Sequence, residues 1–327
     1  MKIISTIGQT LDYDKSARII QNVLDEGENV FRFNLSKYES FRKTYDRVLE
    51  IKRLKQSFGN EISIMLDLPF PRKKPRIMID NSPQSIKSNS TYLLSNVKST
   101  EWIGLSVDCI GSKLKIGDML LYDGGIGAFK VDRIIDSNTI SIVSCGDFDI
   151  YDRKSLGSYS TLINEMISSD YIELIASAIP DYVALSFVES KEEAEIYNSF
   201  FPNARVISKI ETEKAIKNID QITTVSNVMV ARGDLRQYSN PLDLYFTQKA
   251  ISESSHKNAK QLFFATDVLE SLRKSEIPSS SDLIDMSVIL SMRPDGIILN
   301  SPLVSSKAKE VIQMINSGVE AMSMRFG

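Results

Sequence analysis

The sequence has few of the side chains that most often carry catalysis and metal binding. Its 327 residues include one histidine, His256, and two cysteines, Cys109 and Cys145. A single histidine makes a histidine-based triad or metal centre a poor candidate, and two cysteines form neither a disulfide framework nor a zinc cluster. Any catalysis must therefore rely on lysine, arginine, aspartate, glutamate, serine and threonine.

The chain also lacks a strong charge of either sign and any long apolar run. Its net charge is −3 and its pI is near 5.5, which gives no basis for binding nucleic acid or an anionic membrane surface. No apolar stretch approaches the roughly 20 residues that span a bilayer. The opening MKIISTIGQT has no apolar core of a signal peptide. We expect a cytoplasmic protein that contacts neither nucleic acid nor membrane.

Short, apolar, β-branched runs recur along the chain, and a helix-like segment directly follows all but the third. This alternation is typical of a parallel sheet covered on both sides, and about eight such units predict a closed (β/α)₈ barrel. A doubly wound open sheet is the alternative, but no G-x-G-x-x-G follows any strand. The predicted strands are 2–8, 29–36, 62–68, 181–188, 204–211, 227–235, 261–267 and 295–300.

The series is interrupted between the third and fourth predicted strands. The interruption contains MLLYDGGIGAFKV and NTISIVSCG, with turn signals at 123–125 and 136–138. This pattern predicts a small antiparallel β domain inserted into a barrel loop. We therefore divide the chain into a first barrel part, an inserted domain and a second barrel part, at 1–75, 76–159 and 160–327.

Polar side chains stand at the carboxyl ends of the predicted strands, where (β/α)₈ barrels form their active sites. Charged groups in apolar strands are costly to bury unpaired, so a shared polar cavity explains them best. The alternative is a structural ion-pair network that caps the barrel. The residues are Arg32, Asn34, Ser36, Asp67, Ser186, Lys209, Glu211, Arg232, Asp234, Thr266 and Asn300.

Two of these residues, Glu211 and Asp234, end neighbouring predicted strands. A pair of carboxylates suits Mg²⁺, with waters and substrate oxygens completing the octahedron. Arg32, Lys209 and Arg232 are expected to offset the charge of an anionic substrate such as a phosphate or carboxylate. The residues therefore favour Mg²⁺-dependent chemistry on a small anion.

The same residues lie in motifs that resemble those of the pyruvate kinase family. The most specific is ISKIET followed by VMVARGDL, and FRFNLS, MLDLP, VALSFV and FATDVLESL extend the resemblance over nearly the whole chain. The inserted domain also falls where that family carries its mobile lid. The resemblance implies Mg²⁺-dependent transfer of a phosphoryl group from phosphoenolpyruvate to ADP, giving pyruvate and ATP.

The resemblance also implies roles for individual residues. Glu211 and Asp234 would hold Mg²⁺, and Lys209 would stabilise the transferring phosphoryl group and the enolate oxygen. Thr266 would belong to the proton relay to the enolate carbon, and Arg32 would contact the phosphoryl group. The substrate's carboxylate would lie against the backbone of Arg232, Gly233 and Asp234, with Ser186 in a supporting role.

A monovalent-cation site at Asn34, Ser36 and Asp67 is implied as well. However, the family's D-T-K-G-P-E-I-R is replaced here by DLPFPRKK. The basic side chains in this stretch, Arg72, Lys73 and Lys74, could supply the fixed positive charge that the family often takes from K⁺. On this hypothesis activity does not depend on KCl, so K⁺ stays open as a cofactor.

Other departures fall on one side of the family's site. N-F-S-H-G is replaced by NLSKY, T-I-G-P by TIGQ and L-S-G-E-T-A-K-G by LNSPLVSS, and in the family these positions lie towards the nucleotide. The resemblance ends with the last predicted helix, so we expect no counterpart of the family's C-terminal regulatory domain. Any oligomer is expected to form through the barrel faces.

Four functions stay open from the sequence. The first is an ADP-using pyruvate kinase, and the second is the same phosphoenolpyruvate half-reaction with a different phosphoryl partner. The third is a Mg²⁺-dependent aldolase or lyase acting on pyruvate enolate, in which Lys209 and Thr266 are harder to explain. The fourth is a non-catalytic homologue, against which the retention of Lys209, Glu211, Asp234 and Thr266 argues.

Overall fold

The architecture is that of a computed structural model, which describes residues 1–9, 12–37, 40–158, 161–164 and 167–326. By packing, the chain divides into two compact units. Unit 1 comprises Met1–Pro71, Met166–Leu235 and Leu242–Gly327, and unit 2 comprises Arg72–Glu165 and Arg236–Pro241. The predicted boundary between residues 159 and 160 lies outside the described residues.

Eight strands form the sheet of unit 1. They are β1 (Lys2–Ile7), β2 (Val30–Asn34), β3 (Ser63–Lys73), β14 (Tyr182–Ser186), β15 (Arg205–Ile210), β16 (Asn227–Ala231), β17 (Leu262–Ala265) and β18 (Gly296–Leu299). Each pairs in parallel with the next in chain order, and β18 pairs with β1. The ring is therefore closed, and the predicted (β/α)₈ barrel is confirmed.

Helices follow the barrel strands and cover them. In unit 1 they are α1 (Tyr13–Leu24), α2 (Phe41–Phe58), α4 (Ser169–Ala176), α5 (Lys191–Phe200), α6 (Glu213–Lys217), α7 (Ile219–Val225), α9 (Leu244–Lys257), α10 (Ser280–Ser291) and α11 (Ser301–Phe326). Six of them begin after a residue whose side-chain oxygen accepts a hydrogen bond from the first helical turn, which satisfies a backbone N–H that has no partner within the helix. These capping residues are Asp12, Ser40, Ser168, Ser190, Thr212 and Ser279.

A further helix, α8 (Arg232–Tyr238), begins directly after β16. The sequence pattern extends this strand to residue 235, but in the structure the strand ends at Ala231. The first four residues of α8 belong to unit 1 and the last three to unit 2. In unit 2, Gln237 Nε2 donates to the carbonyls of Leu121 at 3.1 Å and Gly157 at 3.3 Å.

Side chains of the barrel strands point alternately outwards and inwards, as successive residues of a strand must. Outward residues pack with the helices in one large apolar core. The inward residues of the lower barrel form a second apolar cluster, to which every strand contributes: Ile4, Val30, Met65, Tyr182, Ala184, Ile207, Met229, Phe263, Ala265 and Ile298. Polar inward side chains lie on both sides of this cluster: Lys2 and Arg205 below it, where they donate to the Tyr182 hydroxyl, and a second group above it, at the carboxyl ends of the strands.

Unit 2 is built from short strands and one helical turn, α3 (Ile110–Lys113). The strands are β4 (Ile77–Met78), β5 (Gln84–Ile86), β6 (Thr91–Ser95), β7 (Ile103–Leu105), β8 (Met119–Tyr122), β9 (Gly127–Ile134), β10 (Thr139–Ser144), β11 (Phe148–Ile150), β12 (Leu156–Gly157) and β13 (Ile163–Asn164). Seven form one sheet in the order β12-β8-β9-β10-β6-β7-β4. Its pairs are antiparallel except β6–β7, which is parallel and which the sequence does not predict.

Among the described residues, no helix combines the length and apolar character that crossing a membrane requires.

Candidate active site

The polar rim of the barrel is centred on Asp67, which lies midway along β3. Its side chain is fully buried, and two cations approach it. Arg32 Nε and NH2 lie 3.0 and 2.6 Å from Asp67 Oδ2, and Lys209 Nζ lies 3.0 Å from Oδ1. Arg32 NH1 also donates to Thr6 Oγ1 at 3.0 Å. Because β2, β3 and β15 each place one of these charges above the apolar cluster, one carboxylate orients both cations.

Glu211 extends this network by one residue. It is fully buried, and its Oε1 lies 3.4 Å from Lys209 Nζ. Its Oε2 accepts a hydrogen bond from the backbone N–H of Phe187 at 2.6 Å. The left-handed backbone of Phe187, with φ of 55°, lies in a region that bulky residues rarely adopt. The loop after β14 is thus shaped to hold one oxygen of Glu211.

The charges at the rim change one another's protonation. Burial would raise the pKa of Asp67, but the positive charges of Lys209 and Arg32 outweigh it and hold the pKa below its ordinary value. Burial would lower the pKa of Lys209, but the carboxylates of Asp67, Glu211 and Asp234 raise it above its ordinary value. Lys209 is therefore a fixed cation and Asp67 a fixed anion.

Glu211 behaves differently from Asp67. Burial raises its pKa from 4.5 to about 7, the positive charge of Lys209 counteracts this and the negative charge of Asp234 adds to it. The effect of Asp234 on both Glu211 and Lys209 places its carboxylate within electrostatic reach of them. A buried glutamate whose charge is disfavoured by burial, with a second carboxylate nearby, is a combination that a bound cation would relieve.

Glu211 shows which oxygen atoms the protein can offer to a divalent cation. Its Oε1 is buried and accepts no hydrogen bond from any described residue, so a ligand position is available on it. No group of three or more histidine, cysteine, aspartate or glutamate side chains suited to a metal occurs within the described part of the chain. The protein would thus provide the carboxylates of Glu211 and Asp234 only, which fits Mg²⁺ because that ion commonly keeps several waters and substrate oxygens as ligands.

Thr266 follows β17 and closes the opposite side of the rim. Its hydroxyl donates to the carbonyl of Ala265 at 2.6 Å and accepts the backbone N–H of Gly233 at 2.8 Å. Gly233 was expected to offer that N–H to an anionic ligand, whereas in the structure it fixes Thr266. The contact joins the start of α8 to the loop after β17.

The side chain of Arg232 does not face an anionic ligand either. It is 4% exposed, and its NH1 lies 2.5 and 2.6 Å from the two carboxylate oxygens of Asp285. Its Nε and NH2 donate to the carbonyls of Thr266 and Asp267. The expectation that Arg232 offsets a substrate's charge is therefore not supported, because Asp285 already neutralises the guanidinium.

Other predicted residues have local partners. Asn34 Oδ1 accepts hydrogen bonds from the backbone N–H and the hydroxyl of Ser36, at 3.0 and 2.5 Å. Ser186 Oγ donates to the carbonyl of Leu68 at 2.7 Å, which ties β14 to β3. Asn300 contacts Glu270 and caps the start of α11 through Leu303. The basic residues 72–74 fall in unit 2, whereas Asn34, Ser36 and Asp67 fall in unit 1.

Two contributors were missed by the sequence interpretation. Thr6 lies two residues after Ile4, on the inward face of β1, so the alternation of that strand could have identified it. Asp285 lies within α10 in no recognisable pattern, and nothing in the sequence connects it to Arg232.

Fold and site together define the class: a closed (β/α)₈ barrel whose carboxyl-terminal rim carries a buried network of one lysine, one arginine and two carboxylates. The family model described as pyruvate kinase, barrel domain, matches residues 1–303. The chain therefore belongs to the pyruvate kinase family, and the resemblance inferred from the motifs is confirmed.

Curated relatives agree with this assignment. The pyruvate kinase of Thermotoga maritima is 26% identical over 320 residues, which are 94% of this chain and 67% of the relative. Plastidial pyruvate kinase 2 of Arabidopsis thaliana is 26% identical over 321 residues, which are 94% of this chain and 54% of the relative. The chain thus spans about half to two thirds of the length of these relatives.

Solved structures share the fold. A crystal structure of pyruvate kinase from Cryptosporidium parvum superimposes with a TM-score of 0.80, covering 98% of this chain and 70% of that one, at 22% identity. At this level of identity the likeness establishes the fold. The family relationship supports a pyruvate kinase-like function in general, and the particular reaction follows as a proposal.

Proposed function

We propose that this chain transfers a phosphoryl group between phosphoenolpyruvate and a nucleoside diphosphate, with ADP as the first acceptor to test. The observation that supports this most is the buried Lys209, whose ammonium lies between Asp67 and Glu211. A cation fixed in place before the reaction stabilises negative charge that develops on a phosphoryl group or an enolate oxygen. In a site with little water this stabilisation is large.

In the forward direction, the bond between phosphorus and the enol oxygen breaks as a terminal oxygen of the diphosphate bonds to phosphorus. The enolate then takes up a proton at its methylene carbon and becomes pyruvate. Arg32 and Lys209 are the proposed partners of the phosphoryl group. Thr266 is proposed to orient the water that delivers this proton: its hydroxyl donates to Ala265 and accepts one bond from Gly233, so one acceptor site is left for that water.

Mg²⁺ is the proposed metal, with Glu211 and Asp234 as its protein ligands. When bound it would neutralise charge on the phosphoryl and carboxylate oxygens of the substrate. The buried Glu211 Oε1, which accepts no hydrogen bond from a described residue, supports this assignment. The backbone at Asp234 stays the candidate site for the substrate's carboxylate, since the N–H of Gly233 binds Thr266.

Unit 2 is proposed to act as the lid that excludes water during transfer. Water would otherwise compete with the diphosphate for the phosphoryl group and would weaken the field of Lys209. Association of copies through the barrel faces is a separate proposal and does not affect the chemistry of a single rim.

A phosphoryl partner other than ADP is the second candidate. Residues 299–306, which replace the family's L-S-G-E-T-A-K-G, include the start of α11 directly after β18. Asn300 Oδ1 accepts the N–H of Leu303 at 3.1 Å and so caps this helix. The departures on the nucleotide side therefore lie in a regular, capped element, and the replaced residues themselves are the reason for testing another acceptor.

The test is ³¹P NMR of phosphoenolpyruvate incubated with Mg²⁺, ADP and the protein. Appearance of ATP at a catalytic rate supports the first candidate. Consumption of phosphoenolpyruvate only with another acceptor from a panel of diphosphates and sugars supports the second. If ¹³C NMR of the substrate shows that phosphoenolpyruvate binds but is not turned over, both candidate functions are contradicted. The functions that would then remain are a non-catalytic homologue and a pyruvate-enolate lyase.

A further inference from the structure

The loop after β17 has an unusual backbone. Thr266 and Asp267 are consecutive non-glycine residues in the left-handed region, with φ of 64° and 55°. This conformation is disfavoured for L-residues, and for a β-branched residue such as Thr266 it is an outlier. Such a conformation persists only when surrounding contacts hold it, and it is often found where a side chain must be placed accurately.

The contacts that hold it come from Arg232. Its Nε and NH2 donate to the carbonyl of Thr266 at 3.1 and 2.9 Å, and its NH2 also donates to the carbonyl of Asp267 at 2.5 Å. The guanidinium therefore binds the carbonyls of both residues that adopt the left-handed conformation. A planar group with several fixed donors is suited to such a contact, since it fixes direction as well as distance.

Asp285 on α10 holds the guanidinium from the other side. Both of its carboxylate oxygens contact Arg232 NH1, at 2.5 and 2.6 Å. The arginine side chain is 5% exposed and the aspartate side chain 35% exposed. A buried cation without this partner would carry a desolvation penalty, so Asp285 determines whether Arg232 stays in place.

We propose that Asp285 is a positioning residue for the reaction: through Arg232 it fixes the left-handed turn that presents the Thr266 hydroxyl to the rim. Asp285 itself touches no substrate. The inference rests on the proposed function, because the role of Thr266 belongs to that proposal. It also gives Arg232 a role different from the charge-offsetting role that the sequence suggested.

The test compares Asp285→Asn with Asp282→Asn. Asp282 lies one turn earlier on α10 and also binds the same loop region, through the N–H and hydroxyl of Ser271, but it does not contact Arg232. We expect Asp285→Asn to lower kcat by about 10- to 100-fold, the scale expected for a reacting group misplaced by roughly an ångström. The KM for phosphoenolpyruvate and the Mg²⁺ midpoint should change less than twofold. Asp282→Asn should keep kcat within twofold, and Asp285→Glu should recover part of the loss.

A merely structural role would give a different result. In that case both aspartate variants would lower the melting temperature and would change kcat, KM and Mg²⁺ midpoint together, which would overturn the proposal. An unchanged kcat in Asp285→Asn would also overturn it.

A second readout does not depend on turnover. The protein is labelled with ¹³C-methyl threonine, and the NMR signal of Thr266 is assigned by its loss in Thr266→Ser. This signal should shift in Asp285→Asn and should stay in place in Asp282→Asn. If the wild-type protein transfers no phosphoryl group to any acceptor, the proposed function fails. The NMR comparison then still decides whether Asp285 positions Thr266, since an unmoved signal counts against it.

Discussion

Lys209 and Asp67 lie on different strands, β15 and β3, and their side chains meet with Nζ 3.0 Å from Oδ1. Strand β14 separates β3 from β15 in the ring, so the contact spans that strand on the inner side of the rim, above the apolar cluster. The same carboxylate also binds Arg32. The two cations proposed to meet the phosphoryl group are therefore held by one shared anion, which makes their spacing a property of the barrel.

Replacing Lys209 with methionine tests the proposed chemistry. The variant should lose phosphoryl transfer while keeping Mg²⁺ binding nearly intact, because Glu211 and Asp234 are unchanged. Retention of more than about a tenth of the wild-type rate would remove Lys209 from the mechanism, since this corresponds to less than roughly 1.4 kcal/mol of barrier. A coupled enzyme assay measures the rate of phosphoryl transfer, and calorimetry measures the affinity for Mg²⁺. The control is Lys191→Met on α5, whose ammonium is exposed and lies 3.6 Å from Glu195.

Removing the charge of Asp67 should destabilise the fold. Asp67→Asn leaves the buried Lys209 and the half-buried Arg32 without their shared partner, and breaking a buried ion pair costs about 3–5 kcal/mol of unfolding free energy. The matched control is Asp46→Asn, which removes the exposed pair with Arg42, 3.9 Å away, and should cost less than about 1 kcal/mol. Urea denaturation measures both. Equal losses in the two variants would show that the rim network contributes nothing beyond a surface pair.

Glu211 should give the metal-free protein a characteristic dependence on pH. Because burial raises its pKa from 4.5 to about 7, the folded state keeps a proton that the unfolded state loses in this window. The contribution of Glu211 to the unfolding free energy therefore falls as pH rises from about 4.5 to 7, and it does not change further above pH 7. The unfolding free energy of Glu211→Gln relative to wild type should rise over the same window in EDTA. The exposed Glu213→Gln is the control, and a flat difference for Glu211→Gln would contradict the raised pKa.

Monovalent cations should have little effect on the rate. Asn34 Oδ1 already accepts two hydrogen bonds from Ser36, and Asp67 Oδ2 accepts two from Arg32, so these oxygens of the implied K⁺ site are engaged. We expect rates in KCl, NaCl and choline chloride at equal ionic strength to agree within about twofold. Strong activation by K⁺ over Na⁺ would show that these side chains rearrange to bind the ion.

Much of the barrel could be predicted because its signals are local. Apolar β-branched runs identify the eight strands, and the two-residue period places Lys209 and Glu211 on the same face of β15. The helix caps at Asp12 and Ser190 are equally local, since each side chain accepts the backbone N–H three residues later. These features depend on neighbours within a few residues, which the sequence displays directly.

The contacts of Arg232 could not be predicted in this way. The predicted strand continues to residue 235, but the observed strand ends at Ala231 and α8 begins at Arg232, so the direction of the arginine side chain changes. Its partner Asp285 is 53 residues away. Similarly, Arg47 and Glu50 have the spacing of an exposed helical pair, yet both are buried, with Arg47 NH2 donating to the carbonyl of Gly8. Such pairings depend on how elements pack, which a single sequence does not reveal.

The layering of the barrel interior has a consequence for how this scaffold can change. In β15 and β3 the lower inward residues, Ile207 and Met65, form the apolar cluster, while Lys209 and Asp67 two positions later face the rim. The residues that pack the barrel and the residues proposed for the chemistry therefore lie at different levels of the same strands. Coordinated substitutions at the rim would change the reaction without altering the apolar cluster. By the same reasoning, a descendant would lose its chemistry and still keep an intact barrel.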